Sequence, residues 1–100
     1  MRRPQKGERY VVREPFETIV TTQWLAPFTG GARKVVPADI TFCIDYDPPA
    51  GASAVGVKPD EDERWLPTLV DEGDRNSPQF GGYRINVSFD LLASHCERTN

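Results

Sequence analysis

Between residues 40 and 47 the chain alternates: Ile40, Phe42, Ile44 and Tyr46 are apolar, with Thr41, Cys43, Asp45 and Asp47 on the other parity. Successive side chains of a strand point to opposite faces, so this pattern has one face for a core and one for solvent. It predicts a half-buried antiparallel strand over 36–47, with Pro37 at its start, where a missing N–H is tolerated. Asp47-Pro48-Pro49-Ala50-Gly51 is a strong turn signal and ends it. The same alternation returns at Tyr83, Ile85, Val87 and Phe89. The two apolar rows are expected to build one core, with Tyr46 as a packing residue and Cys43, Asp45 and Asp47 exposed.

The remaining elements follow from β-branched and aromatic residues and from chain breakers. Tyr10-Val11-Val12-Arg13 predicts a first strand, ended or bulged by Pro15. Phe16–Trp24, with Thr18, Ile19, Val20, Thr21 and Thr22, predicts a second. Thr29-Gly30-Gly31 belongs to a loop, and Ala54–Val57 reads as a returning strand that forms a hairpin with 36–47. Asp60–Leu66 predicts one helical turn, capped by Asp60 with Glu63 completing a capping box and stopped by Pro67. Thr68-Leu69-Val70 is a short strand and 71–79 a polar loop. Gly81-Gly82 turns the chain into the last strand, and Asp90 caps a short helix over 91–96.

Five or six short strands with frequent turns and one or two single-turn helices define a mainly β class. The expected architecture is a small SH3-like antiparallel barrel, the alternative being a small β-sandwich. An immunoglobulin sandwich would want about seven strands and a Cys-Trp-Cys spacing that is missing here. One hundred residues suffice for one domain. Residues 1–8 are expected to form a flexible basic tail, 9–96 a single β domain, and 97–100 a frayed end.

Charge refines this picture. The net charge is −3, but it is unevenly spread. Residues 1–36 hold seven cations against three acids, and residues 37–80 ten acids against three cations. No apolar run approaches the ~20 residues of a membrane helix. The N-terminal residues lead into no hydrophobic stretch, so the expected location is cytoplasmic. Cys43 and Cys96 are too few for a disulfide framework and read as free thiols.

Candidate chemistry is thin. A Cys43–His95 pair would need the fold to bring nucleophile and base together, because Cys96 beside His95 does not share its helix face. Asp45, Asp47 and the run Asp60-Glu61-Asp62-Glu63 offer oxygen ligands, but in no calcium-loop spacing. These are the features on which a small hydrolase or metal-dependent enzyme would rest. Thr29–Lys34 has neither the spacing nor the following helix of a phosphate loop. No residue is assigned a catalytic or metal-binding role, and no cofactor is implied.

Two binding readings remain. Aromatic residues dominate interaction hot spots, and loops collect binding residues. Trp24, Phe28 and Trp65, with the acidic Asp60, Glu61, Asp62 and Glu63, therefore point to a non-enzymatic module that contacts a protein or peptide. The alternative is nucleic-acid binding through Arg9, Arg13, Arg33 and Lys34, with Trp24 and Phe28 stacking on bases. The acidic balance of the chain, pI near 5.1, stands against the second reading.

Overall fold

The computed structural model describes residues 3–24, 29–60 and 62–100. In chain order the strands are β1 (Arg9–Val12), β2 (Phe16–Trp24), β3 (Thr29–Val36), β4 (Thr41–Cys43), β5 (Ala54–Val57), β6 (Phe80–Ser88) and β7 (Cys96–Arg98). The helices are α1 (Asp62–Leu69), α2 (Glu72–Arg75) and α3 (Phe89–His95). The strands form two antiparallel sheets, ordered β4-β1-β7 and β3-β2-β6-β5. The mainly β class is as expected. Among the described residues the strand pairings do not close into a barrel.

The alternating segment pairs with β1. Asp39 N–H donates to Val12 O and Val12 N–H to Ile40 O, while Ile44 N–H donates to Glu8 O and Gly7 N–H to Ile44 O, all at 2.8 Å. Residues 39–44 thus run antiparallel to 7–12, and Tyr10 stacks on Phe42 with ring centroids 5.8 Å apart. Asp39 takes φ +77 in the turn that carries the chain from β3 into this segment, a conformation aspartate tolerates. Ile40, Phe42 and Ile44 are fully buried. Tyr46 is 38% exposed, so the inward row ends one residue pair sooner than the alternation predicts.

Across the core, the four-stranded sheet contributes Phe16, Val20, Val36, Val55, Val57, Tyr83, Ile85 and Val87 to the same cluster. The predicted hairpin between 36–47 and Ala54–Val57 is not made, because β5 pairs with β6. Alternation dictates which face of a strand is buried and is silent about its neighbour, so the two apolar rows can meet face to face as well as edge to edge.

Four further elements depart from expectation. Thr29–Val36, read as a loop and turn, is the eight-residue strand β3, paired along β2 from Phe16↔Val36 to Gln23↔Thr29. Gly81-Gly82 lies inside β6, where the register shifts between Thr22↔Tyr83 and Trp24↔Phe80. Gly82 takes φ +114 there, and its freedom makes the bulge cheap. Pro67 lies inside α1, which continues to Leu69. An internal proline costs about 3 kcal/mol, but α1 delivers Leu69 and Val70 to the core, each burial being worth roughly 1.5–3 kcal/mol. The cap of α3 is Ser88, whose Oγ accepts the Leu91 N–H at 3.1 Å, and Asp90 sits in the first turn.

Arg3, Pro4 and the residues from Cys96 to Asn100 also make contacts with this frame. Arg3 donates to the Pro48 and Pro49 carbonyls at 2.7 Å, and Pro4 is buried. At the other end β7 pairs with β1, and Asn100 accepts the Arg9 N–H at 3.0 Å while donating to Gly7 O at 3.1 Å. Glu8 is buried, its carboxylate accepting the Tyr10 hydroxyl at 2.6 Å with Arg98 3.7 Å away. A buried carboxylate needs such partners.

The break in the alternation is testable. Ile44→Ala should cost roughly 2–5 kcal/mol in equilibrium urea unfolding, whereas Tyr46→Ala should cost no more than about 1 kcal/mol. Equal losses would place Tyr46 in the core after all.

Candidate functional site

Of the predicted aromatic and acidic residues, the structure describes the side chains of Asp60 and Trp65. Phe28 and Glu61 lie outside the described residues, as do the side chains of Trp24, Asp62 and Glu63; the Trp24 backbone ends β2. Trp65 is half-buried against the core, with the Arg64 guanidinium over its ring 4.5 Å from the centroid. Asp60 is exposed and holds Arg9. Trp65 therefore acts at least in part as a packing residue.

Each of the four candidate nucleic-acid cations has an acidic partner. Arg9 is held by Asp60, Arg13 by Glu97 at 2.8 Å, Arg33 by Glu17 and Lys34 by Asp71. Three of these acids come from residue 60 onward. The charge asymmetry along the chain is thus offset in space, which sequence order alone does not reveal. Arg9 and Arg13 sit in the three-stranded sheet or at its end, and Arg33 and Lys34 on opposite faces of β3. These four cations do not converge on one surface.

Nucleophile and base are also kept apart. Cys43 lies opposite Arg9, its thiol 3.6 Å from Ile44 O. His95 ends α3, and its carbonyl accepts the Arg13 and Glu14 N–H groups. Four residues along β1 separate those positions, about 13 Å at strand rise. The His95 ring engages Ser94 Oγ at 2.7 Å through Nδ1 and stands edge-on to Phe16. Cys96 pairs with Val12 on the face of β1 opposite that of Cys43, so both thiols are free. Burial pushes the Cys96 thiol up to about 11, which removes its nucleophilic form at neutral pH. Asp45 and Asp47 diverge: Asp45 binds Arg84, while Asp47 accepts the Lys6 N–H at 2.9 Å. Among the described residues no three His, Cys, Asp or Glu side chains gather as metal ligands.

A different surface does assemble. On β2, Phe16, Val20 and Thr22 face the core, and Glu17, Ile19, Thr21 and Gln23 face outward. Arg33 lies opposite Ile19, Thr21 opposite Arg84, and Gly56 opposite Asn86, which carries the outer face across all four strands. After Ile44 the chain crosses onto this face. The Tyr46 hydroxyl accepts the Gly56 N–H at 2.9 Å, and Arg84 donates to Gly56 O at 3.0 Å and to both Asp45 oxygens at 2.8 and 3.1 Å. Hydrogen bonding from Arg84 holds the Asp45 carboxyl below the usual carboxylate range and raises the guanidinium in turn. Between Tyr46 and the sheet lies a cavity of about 290 Å³, lined by Thr21, Gln23, Tyr46, Gly56, Arg84 and Asn86.

The exposed large apolar side chains among the described residues are Ile19 (37%), Val35 (55%) and Tyr46 (38%), and all three belong to this face. Val35 lies opposite Glu17, which makes it a diagonal neighbour of Ile19. A larger hollow of about 430 Å³ separates Arg3-Pro4-Gln5 from Asp47-Pro48, but there the Arg3 donors already serve two carbonyls. The parity of Glu17 and Gln23 is the sequence signal for the outer face. It is masked by the uniformly β-branched run between them.

Comparison of the chain with protein-family models, with curated proteins and with solved structures finds no match.

The Asp45–Arg84 pair has a pH signature. Because the folded carboxyl titrates below its unfolded value, its contribution is present above the ordinary carboxylate pKa of about 4 and disappears as pH falls through the folded pKa. The pair is about half-exposed, so the contribution is at most about 1 kcal/mol. Asp45→Asn should therefore be less stable than the unmodified chain at pH 7, with the gap closing below about pH 4. Chemical denaturation across that range measures it. A gap independent of pH would mean that the ion pair is not its source.

Proposed function

We propose that this protein is a non-enzymatic binding module that contacts a protein or peptide partner through the outer face of its four-stranded sheet. The observation that carries the reading is that the exposed large apolar side chains among the described residues, Ile19, Val35 and Tyr46, all lie on one sheet face, which also holds the cavity beside Tyr46. Apolar side chains interspersed with Thr21, Gln23, Arg84 and Asn86 have the mixed apolar and polar makeup of a protein-interaction surface. The expected contribution of Trp24, Phe28 and the acidic 60–63 segment would place a second contact region beyond this face.

Nucleic-acid binding is the less favoured reading, since Arg9, Arg13, Arg33 and Lys34 are each paired to a carboxylate. These cations are also spread over two sheets and over both faces of β3, so they do not line up along one phosphate backbone. For the architecture, we read the two sheets as an opened form of the SH3-like barrel. Support comes from the single shared core and from the pairing of β1 with β7, the first and last strands.

The test is capture of a partner at low and high salt by the unmodified chain and by Ile19→Asp and Arg13→Ala. Partner binding should persist at high salt, fall at least about ten-fold in Ile19→Asp, equivalent to about 1.4 kcal/mol, and be unchanged in Arg13→Ala. Capture of nucleic acid instead, lost steeply between 50 and 200 mM salt as phosphate contacts are (a drop on the order of 10³-fold or more), would overturn the proposal.

A further inference from the structure

We infer that the outward edge of β3 is a strand-addition site for an extended, acidic segment of a partner protein. This deepens the binding-module reading and rests on it. An edge strand leaves a row of backbone N–H and C=O groups unpaired, and proteins generally cover or blunt such rows. Here the two sheets end in β4, β7, β3 and β5. Next to β4, Pro59 bridges to Phe42 and the Asp60 N–H donates to Thr41 O at 2.9 Å. On β5, Gly56 has its N–H taken by Tyr46 and its carbonyl by Arg84. β7 is three residues long, too short for a stable addition.

β3 differs from all three. It is eight residues long and paired with β2 along its whole length, and its other side has no hydrogen-bond partner among the described residues. The helix α1 comes near β3, and Lys34, on the face it shares with the buried Val36, is held by Asp71 just beyond that helix. The outer face beside the open edge carries Arg33 and Val35, the most exposed large apolar side chain among the described residues.

The charges select the occupant. Two copies of this chain joined antiparallel at β3, in a two-fold register using most of the strand, place Arg33 opposite or diagonal to its own copy. Like charges so placed destabilise a ladder. A partner strand with a carboxylate opposite Arg33 and an apolar residue opposite Val35 meets both needs on one face. The Glu17–Arg33 pair is exposed on both sides, so an incoming acid can share the guanidinium at little cost. On the inner face Lys34 already has Asp71, and the segment should be uncharged there. The addition is therefore a strand alternating acidic or apolar residues with small polar ones, held by backbone hydrogen bonds as in other β-augmentation complexes.

The experiment is an amide NMR titration of the full chain with the blocked peptide Thr-Val-Thr-Glu-Thr-Val-Thr and with its Glu→Lys analogue, followed by hydrogen exchange. The glutamyl peptide should saturate by millimolar concentration and slow exchange at every second amide of β3, the signature of strand pairing. Binding should weaken about five-fold or more with the lysyl peptide, as expected of opposite- versus like-charged cross-strand pairs, and likewise in Arg33→Glu with the glutamyl peptide. Saturable shifts at Ile19 and Tyr46 without β3 protection would overturn the edge site and leave the binding face standing. The absence of saturation, equal binding of both peptides, or dimerisation of the chain through β3 would each overturn it as well. If β3 is protected but Ile19→Asp has no effect on partner capture, the edge site stands and the face reading fails.

Discussion

The pairing of residues 39–44 with β1 is the constraint on which the remaining structure depends. It turns Ile40, Phe42 and Ile44 inward against the opposite sheet and aligns Phe42 with Tyr10. It also sets where the segment leaves the ladder. Ile44 is the last residue to exchange hydrogen bonds with the 7–12 segment, through Glu8 O and Gly7 N. Beyond it the chain is free to cross to β5. Had the pairing run on to Tyr46, that ring would have entered the core, and both Gly56 and the outer cavity would have lost their cover.

The crossing divides the molecule's edges into closed and open ones. Tyr46 and Arg84 satisfy Gly56 from two sides, and Asp45 fixes the Arg84 guanidinium in place. These residues act together: the carboxylate orients the cation, and the cation satisfies an edge carbonyl that would otherwise face solvent. On the opposite side of the same sheet, β3 is defended only by charge. Edge lysines and arginines discourage self-association in general, and the same cations give a complementary strand something to recognise. A single sheet thus combines a sealed border, a partly apolar face and an open border.

The ion pairs show how far a charge map drawn along the sequence departs from one drawn on the surface. Arg9, Arg13 and Lys34 meet Asp60, Glu97 and Asp71 only because the fold sets the β1 segment beside residue 60 and β7, and β3 beside the residues that follow α1. Each is worth little individually at an exposed site. Their joint effect is to offset much of the positive charge that Arg9, Arg13 and Lys34 carry.

Local pattern was sufficient for the mainly β class, for the inward rows Ile40-Phe42-Ile44 and Tyr83-Ile85-Val87, and for β1 and β2, because side-chain alternation and β-branched content act within a few residues. It misjudged elements that owe their state to distant partners. β3, with two glycines and two cations, becomes a strand only because β2 offers a full ladder. α1 passes through Pro67 because Leu69 and Val70 find the core. By itself the sequence determined which faces are apolar, since that depends on residue order alone. Which strands are neighbours, where Tyr46 leaves the core and which edge stays open were decided by the tertiary structure, because backbone hydrogen bonds carry no side-chain identity and are allotted only when the sheets meet.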